Sequence, residues 1–158
     1  MSDFNLEFLI EAIRLSRENI TDGLGGPFGA VIVKDGKIIG EGKNEVLESN
    51  DPTAHAEIQA IRNASKHLNN FDLQSCEIYT SCEPCPMCLA AIYWARIDYI
   101  YFANTKKDAA EIGFDDDFIY KELSLPENER KIKMVRYNME DAKKVFLDWI
   151  KLENKILY

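Results

Sequence analysis

The chain has 158 residues, an apolar fraction of 46% and a formal net charge of −8 at pH 7. This profile is typical of one globular domain with a sizeable core, and no apolar run is long enough to span a membrane. The acidic balance disfavours a nucleic-acid partner, because such proteins use Lys and Arg to displace counterions from phosphates. We find no repeat or flexible linker and expect one domain over residues 1–158. The N-terminus lacks the pattern of a targeting peptide, so we expect a cytoplasmic protein.

The first third of the chain predicts a helix followed by a β-hairpin. Residues 3–20 form an amphipathic helical pattern with Asp3 as the N-cap. Its apolar side chains recur at helical spacing at Leu6, Leu9, Ile10 and Ile13. The stretch "AVIVKDGKIIGEG" then has two β-branched runs on either side of Asp35-Gly36, a pair that favours a type I′ turn.

Strands and helices alternate in the rest of the chain. Asp51-Pro52-Thr53 begins a helix, "CEIYT" and "DYIYFA" are typical of strands, and "PCPMCLAAIYWAR" lies between them as a helix. Short strands separated by helices indicate a sheet covered on both faces. The C-terminal patterns predict a short helix at "DDDFIYKEL", a short strand at "KMVR" and an amphipathic helix at "MEDAKKVFLDWIKLENK".

Three of the four cysteines fall within the stretch "TSCEPCPMC". Such clustering favours metal binding or redox chemistry over a disulfide framework. His55 in "TAHAEIQ" can join them around a metal. Three sulfurs and one nitrogen would close a tetrahedral zinc site, whereas two sulfurs and one nitrogen would leave a position for water.

Pro84 separates Cys82 from the other two cysteines. A residue before proline is disfavoured in the helical region, so Glu83 should be extended. Cys82, which precedes it, then belongs to the end of a strand. Cys85 and Cys88 project from the first turn of one helix, where the amide dipoles favour thiolates. Two thiolates and a neutral imidazole balance Zn²⁺. We therefore expect His55, Cys85 and Cys88 to bind Zn²⁺ and the fourth position to hold water.

Glu57 could act as a proton-transfer group beside a metal site that holds water. A carboxylate two residues from a ligand can take a proton from metal-bound water and deliver it to a substrate nitrogen. Alone, Glu57 would be a solvated helix residue and His55 a core histidine. Together with the cysteines they favour a catalytic zinc site.

The segments His55-Ala56-Glu57 and Pro84-Cys85-Pro86-Met87-Cys88 match the H-x-E and P-C-x-x-C signature of zinc deaminases. With "GGPFGAVIVKDGKIIGEGKNEV" and "GFDDDFIYKE", they make the chain resemble the cytidine-deaminase superfamily. Within it, the chain most resembles the small bacterial guanine deaminases, chiefly through "GFDDDFIYKE" and the terminal tyrosine. The resemblance is strong from Gly25 to about Glu122.

This resemblance implies an α/β fold, a three-layer α/β/α sandwich around a five-stranded mixed sheet. It implies homodimers that exchange C-terminal segments, so that a partner's tail closes each pocket. It also implies hydrolysis of guanine to xanthine and ammonia, in which zinc hydroxide attacks C2, Glu57 shuttles the proton and Asp116 acts as a second acid. The implied substrate contacts are Phe28, Asn44, Ala56, Trp94 and Tyr158.

By residue type alone, these positions have simpler explanations. The aromatic residues would be core, Asn44 a turn residue and Asp116 a helix-capping or solvated charge. Three other functions also stay open. A tRNA adenosine deaminase shares the motifs but needs a basic surface, and a deaminase of guanosine or cytidine needs room for ribose. A non-enzymatic zinc module would use Cys82 as its fourth ligand.

Overall fold

The computed structural model describes residues 4–157, so the predicted roles of Asp3 and Tyr158 lie outside the described residues. Within that range the elements are α1 (Leu6–Thr21), β1 (Gly29–Lys34), β2 (Lys37–Lys43), α2 (Val46–Ser49), α3 (Ala56–Leu68), β3 (Cys76–Cys82), α4 (Pro86–Trp94), β4 (Tyr99–Asn104), α5 (Lys106–Glu111), α6 (Asp116–Ser124) and α7 (Glu140–Lys151). The chain divides into two compact units after Tyr120. None of the described helices is long and apolar enough to cross a membrane.

The strands of the first unit form a mixed sheet in the order β2-β1-β3-β4. β1 is antiparallel to both β2 and β3, whereas β3 and β4 are parallel and are joined by α4. The β1–β2 hairpin turns at Asp35 and Gly36, with φ angles of 50° and 71°. Positive φ at both positions is what a type I′ turn requires, so the predicted hairpin is confirmed.

Helices cover both faces of this sheet. Neighbouring residues of β1 point to opposite faces. Ile32 packs in a cluster with Ala60 of α3, and Val31 packs in a second cluster with Leu15 of α1. The expected α/β fold, with helices on either side of a mixed sheet, is therefore confirmed.

The sheet has four strands in the described residues, so the expectation of five strands is wrong for this part of the chain. The predicted strand "KMVR", residues 133–136, has no regular structure. A strand requires a neighbour to complete its ladder of hydrogen bonds. A short apolar run does not by itself supply that neighbour.

Two helices begin later than predicted. α1 begins after Asn5, whose side chain accepts a hydrogen bond from the amide of Glu7. α3 begins at Ala56 rather than near Asp51, because the Asp51 carboxylate closes a local turn by accepting a hydrogen bond from the amide of Thr53 at 2.8 Å.

α1 buries a face that only partly overlaps the one its large apolar residues predict, although Leu9 does pack against the core. Leu6 and Ile10 are more than half exposed, whereas Ala12 and Asn19 are buried. A Cβ atom on Gly29 would lie 2.3 Å from the carbonyl oxygen of Ala12. The backbones of α1 and β1 are therefore in close contact, and such contact selects small residues over long ones.

α3 lies equally close to β2. The helix presents a row of alanines to two glycines of the strand, namely Ala56, Ala60 and Ala64 against Gly40 and Gly42. A Cβ atom on Gly42 would lie 2.0 Å from the carbonyl oxygen of Ala56. This contact sets the position of the first turn of α3, which carries Glu57.

The second unit, residues 121–157 of the described chain, contains the end of α6 and all of α7. One side of α7 is apolar, as predicted, and its side chains are exposed: Val145, Phe146, Leu147, Trp149 and Ile150. A helix with one apolar face normally buries that face against another element.

Replacing Gly42 with Ala should displace the start of α3, because the new methyl group meets backbone rather than a flexible side chain. We expect the free energy of unfolding to fall by about 3 kcal/mol or more, as for severe overpacking. Chemical denaturation measures this loss. The control is Gly36→Asn in the hairpin turn, where a Cβ meets nothing within 4 Å and Asn tolerates positive φ. Equal stability of the Gly42→Ala variant and the wild type would contradict the close contact.

Candidate active site

The three predicted metal ligands lie together in the first unit. The Nδ1 atom of His55 is 3.5 Å from the Sγ atom of Cys85 and 3.5 Å from that of Cys88. All three donor atoms lie within 4.8 Å of one another. Among the described residues, this is the group of His, Cys, Asp and Glu side chains whose geometry could hold a metal ion.

These distances fit a tetrahedral zinc ion. With Zn–N of about 2.1 Å and Zn–S of about 2.3 Å, a tetrahedral angle places the nitrogen and sulfur about 3.6 Å apart. The observed separations agree with this value. The donor set also fits in charge, because two thiolates and a neutral imidazole neutralise a divalent ion.

Two of the ligands occupy equivalent positions in their helices. His55 is the N-cap of α3 and Cys85 is the N-cap of α4, and neither side chain caps its own helix. Both side chains are therefore available for the metal. Cys88 lies one turn into α4, so the two sulfurs point to the same place.

The thiol groups of Cys85 and Cys88 are hydrogen-bonded to each other. Their mutual hydrogen bond lowers the pKa of Cys85 and, together with burial, raises the pKa of Cys88. The hydrogen bond with Cys85 also raises the pKa of His55. A metal that binds here must displace these protons, so metal binding releases protons.

Cys82 lies outside the donor group. It is the last residue of β3, and Pro84 separates it from α4 as predicted. Its thiol donates to the carbonyl oxygen of Thr105 at 3.6 Å, and burial raises its pKa to about 12. What separates Cys82 from the other two cysteines is its position, because its sulfur is not among the grouped donor atoms.

Glu57 lies beside the donor group rather than in it. It is the second residue of α3 and is almost fully buried, and its Oε2 atom is 3.4 Å from the Sγ atom of Cys88. Burial raises its pKa to about 7. A carboxyl group with this pKa gains and loses protons readily near neutral pH.

Asp116 brings a second carboxyl group to the same cavity. It is the first residue of α6, and partial burial raises its pKa. The adjacent Asp115 has a separate role, since its side chain accepts a hydrogen bond from the amide of Phe118. Tyr120, one turn further along, donates its hydroxyl proton to the carbonyl oxygen of Pro84 at 3.1 Å and so ties α6 to the loop that carries Cys85.

The donor group opens into a cavity of about 330 Å³. Residues from segments 26–28, 44–47, 52–57, 82–85 and 114–116 line it. Phe28 forms one wall and packs edge-on against Phe114, with ring centroids 4.8 Å apart. Asn44 forms another, and its Oδ1 atom accepts a hydrogen bond from the amide of Val46 at 3.4 Å, so its amino group is the donor left for a ligand.

The other predicted substrate contacts are placed differently. Ala56 has its side chain in the core and is not among the residues that line the cavity, although its neighbours His55 and Glu57 are. Trp94 does not line this cavity, because it is the last residue of α4 and its side chain is 66% exposed. Its contact with substrate, like that of Tyr158, stays a prediction.

Sequence reasoning missed several residues that line the cavity, among them Leu47, Pro52, Glu83 and Phe114. Phe114 lies two residues before Asp116, within the motif "GFDDDFIYKE". Its nearness to Asp116 could therefore have indicated that it lines the same cavity. Leu47 lies in the short helix α2 and Pro52 in the turn after it, and nothing in their spacing indicates a shared cavity.

Comparison with known proteins gives consistent matches. The family described as "Cytidine and deoxycytidylate deaminase zinc-binding region" matches residues 3–104. A guanine deaminase of Bacillus subtilis is 54% identical over 151 residues, covering 96% of this chain and 97% of that protein. A tRNA-specific adenosine deaminase of Aquifex aeolicus is 36% identical over 152 residues, covering 95% of this chain and 97% of that protein.

The solved structures agree with the sequence comparison. The crystal structure of guanine deaminase from Bacillus subtilis matches with a TM-score of 0.95 and 52% identity, covering 99% of both chains.

The geometry predicts different effects for two neighbouring cysteines. Cys82→Ala should retain one zinc per chain, because its sulfur lies outside the donor group. Cys85→Ala removes a ligand and should weaken zinc binding by at least about 100-fold, since loss of outer-shell partners alone costs about 10–100-fold. Metal analysis and competition with a chelator measure both effects. Loss of zinc from Cys82→Ala would show that the ligand set is wrong.

Proposed function

The chain belongs to the cytidine and deoxycytidylate deaminase family, and we propose that it is a zinc-dependent guanine deaminase that converts guanine and water to xanthine and ammonia. The observation that carries this proposal is the group of three metal donors, two of which, His55 and Cys85, line the same small cavity as the carboxyl groups of Glu57 and Asp116. Its near full-length similarity to a guanine deaminase supports the choice of substrate. We also propose that residues 1–158 form one deaminase domain, because that similarity extends across both compact units.

His55, Cys85 and Cys88 hold the zinc in this proposal. When bound, zinc supplies a Lewis acid that lowers the pKa of a coordinated water toward about 7. The site has three protein ligands, which is typical of catalytic rather than structural zinc.

Glu57 and Asp116 divide the proton transfers between them. Glu57 takes the proton released from water and delivers it to N3 of the guanine ring. Asp116 gives the leaving amine on C2 a separate source of a proton. The water oxygen bonds to C2, the bond from C2 to the exocyclic nitrogen breaks and ammonia leaves. The hydroxyl on C2 then gives its proton to Asp116 as the C2 carbonyl of xanthine forms. The deep burial of Glu57 keeps this transfer away from bulk water.

Phe28 and Asn44 recognise the base. Phe28 supplies an aromatic wall on which a purine can stack. The amino group of Asn44 and the first-turn backbone at Ala56 supply polar groups for the edge of the base. A cavity that pairs with guanine would leave buried polar groups unpaired with adenine, which is a costly mismatch.

The family also includes deaminases of larger substrates, and one observation favours that alternative. The 36% identity to a tRNA-specific adenosine deaminase extends over nearly the whole chain. The net charge of −8 disfavours it, because a tRNA substrate requires a basic surface. The cavity volume lies at the lower end of the usual range for ligand pockets, about 300–1,000 Å³, which favours a free base over a nucleoside.

We further propose a homodimer in which C-terminal segments are exchanged. The apolar side of α7 is exposed, and an amphipathic helix normally buries that side against another element. This supports a second chain packing against the second unit. Tyr158 would then reach the partner's cavity. A cytoplasmic location fits the four free thiols.

The zinc-loaded protein should release ammonia from guanine and much less from guanosine, cytidine, adenosine or tRNA. An ammonia assay, with xanthine identified by chromatography, measures this preference. Activity confined to adenosine in tRNA would overturn the proposed substrate.

Glu57→Gln should keep zinc and lower kcat for guanine by at least about 100-fold, within the usual range for general acid–base groups. The matched substitution Glu77→Gln, on β3 and away from the cavity, should keep wild-type kcat. Zinc content measured in both variants separates loss of proton transfer from loss of metal. Full activity of Glu57→Gln would remove Glu57 from the mechanism.

Co-expression tests the exchanged tail. One chain carries Glu57→Gln and an intact C-terminus, and the other lacks Tyr158 but keeps Glu57. Each alone should be nearly inactive, and the mixed dimer should recover guanine deamination because one intact cavity receives one intact tail. Analytical ultracentrifugation should report a dimer. Failure to recover activity in a proven mixed dimer would show that the tail acts within its own chain.

A further inference from the structure

Asn19 is a polar residue at a buried position of α1. It lies near the end of α1 and follows Ala12 and Leu15 at helical spacing along the buried face of that helix. Its exposed fraction is 1%. A buried carboxamide is costly unless its hydrogen bonds are made, so its partners indicate its purpose.

Both partners of the Asn19 amino group are backbone carbonyls next to the cavity. Its Nδ2 atom donates to the oxygen of Gly26 at 2.8 Å and to the oxygen of Asn44 at 2.9 Å. Gly26 and Asn44 are 18 positions apart in the chain, on either side of the β1–β2 hairpin, and both line the cavity. One side chain on α1 thus joins two walls of the candidate active site.

Glycine at position 25 makes this arrangement possible. A Cβ atom there would lie 2.3 Å from the carbonyl oxygen of Asn44 and 2.9 Å from the Nδ2 atom of Asn19. The same two segments are also linked directly, since the amide of Asn44 donates to the carbonyl oxygen of Phe28 at 3.2 Å. The backbone of the loop is therefore packed tightly around the Asn19 carboxamide.

We propose that Asn19 is a positioning residue for purine recognition, because it holds the backbone of Asn44 and the loop that carries Phe28 in the arrangement that binds the base. Asn19 does not line the cavity and does not touch the reacting atoms. It acts on binding through Asn44 and Phe28, whereas the zinc ligands and Glu57 belong to α3 and α4. This inference rests on the proposed guanine deaminase activity.

The test is the kinetics of Asn19→Ala with guanine. Loss of two hydrogen bonds to buried carbonyls should raise KM by about tenfold or more, because the arrangement that binds the base is then populated less often. The value of kcat should change far less, and zinc content should equal that of the wild type. An unchanged KM with normal zinc would overturn the proposal. If the wild type does not turn over guanine, the proposed function fails instead.

A matched control is available on another helix. The Nδ2 atom of Asn63 in α3 donates to the carbonyl oxygen of Glu41 in β2 at 2.8 Å, on the exposed side of the fold and away from the cavity. Asn63→Ala should leave KM for guanine unchanged. A rise in KM equal to that of Asn19→Ala would show a general effect of loosening a helix, and the positioning role would be lost.

A double-mutant cycle separates positioning from stability. In a chain that already carries Asn44→Ala, the further change Asn19→Ala should raise KM by a smaller factor than it does in the wild type, because one of the two groups that it positions has been removed. Independent, additive effects would contradict the proposal. If Asn19→Ala does not fold, Asn19→Ser carries the test, since its hydroxyl keeps one donor: a raised KM supports the role and a wild-type KM overturns it.

Discussion

Two helix N-termini meet at one point in this fold, and the candidate site depends on that meeting. Each N-terminus carries about half a positive charge, so bringing two of them together is unfavourable unless negative charge is placed between them. The residues at this point are His55 and Cys85 at the two N-caps, with Cys88 one turn further on. The helix ends favour thiolates, and the thiolates offset the repulsion between the helix ends. In the proposed metal site, zinc would complete this balance through the two sulfurs and the imidazole.

Close backbone packing keeps the two helix ends in place. α3 contacts β2 through alanines and glycines, and α1 contacts β1 through Gly29 in the same way. Large side chains at these contacts could repack and let a helix slide by a fraction of an ångström. Backbone atoms in direct contact cannot do so. A donor group that must match metal–ligand distances benefits from this rigidity, because a small displacement of α3 would move His55 and Glu57 together.

The chemistry around the metal is divided among separate parts of the chain. The metal donors and Glu57 come from the starts of α3 and α4, whereas Asp116 comes from α6, which Tyr120 ties to the Pro84 loop. Asn44 belongs to a third part, joined to α1 through Asn19. The proposed metal binding, proton transfer and base recognition would therefore rest on different contacts, and a substitution could affect one without the others. In the proposed dimer, the exposed apolar side of α7 would make the site depend also on a second copy of the chain.

The sequence by itself determined the features that depend on residues a few positions apart. These include the type I′ turn at Asp35-Gly36 and the division of the cysteine stretch at Pro84. They also include the motif spacing of His55, Glu57 and the two helical cysteines. Only the tertiary structure decided which face of α1 is buried, where α3 begins, that "KMVR" forms no strand and that Trp94 is exposed. The physical reason is that each of these depends on what a segment packs against, and no local pattern contains that partner.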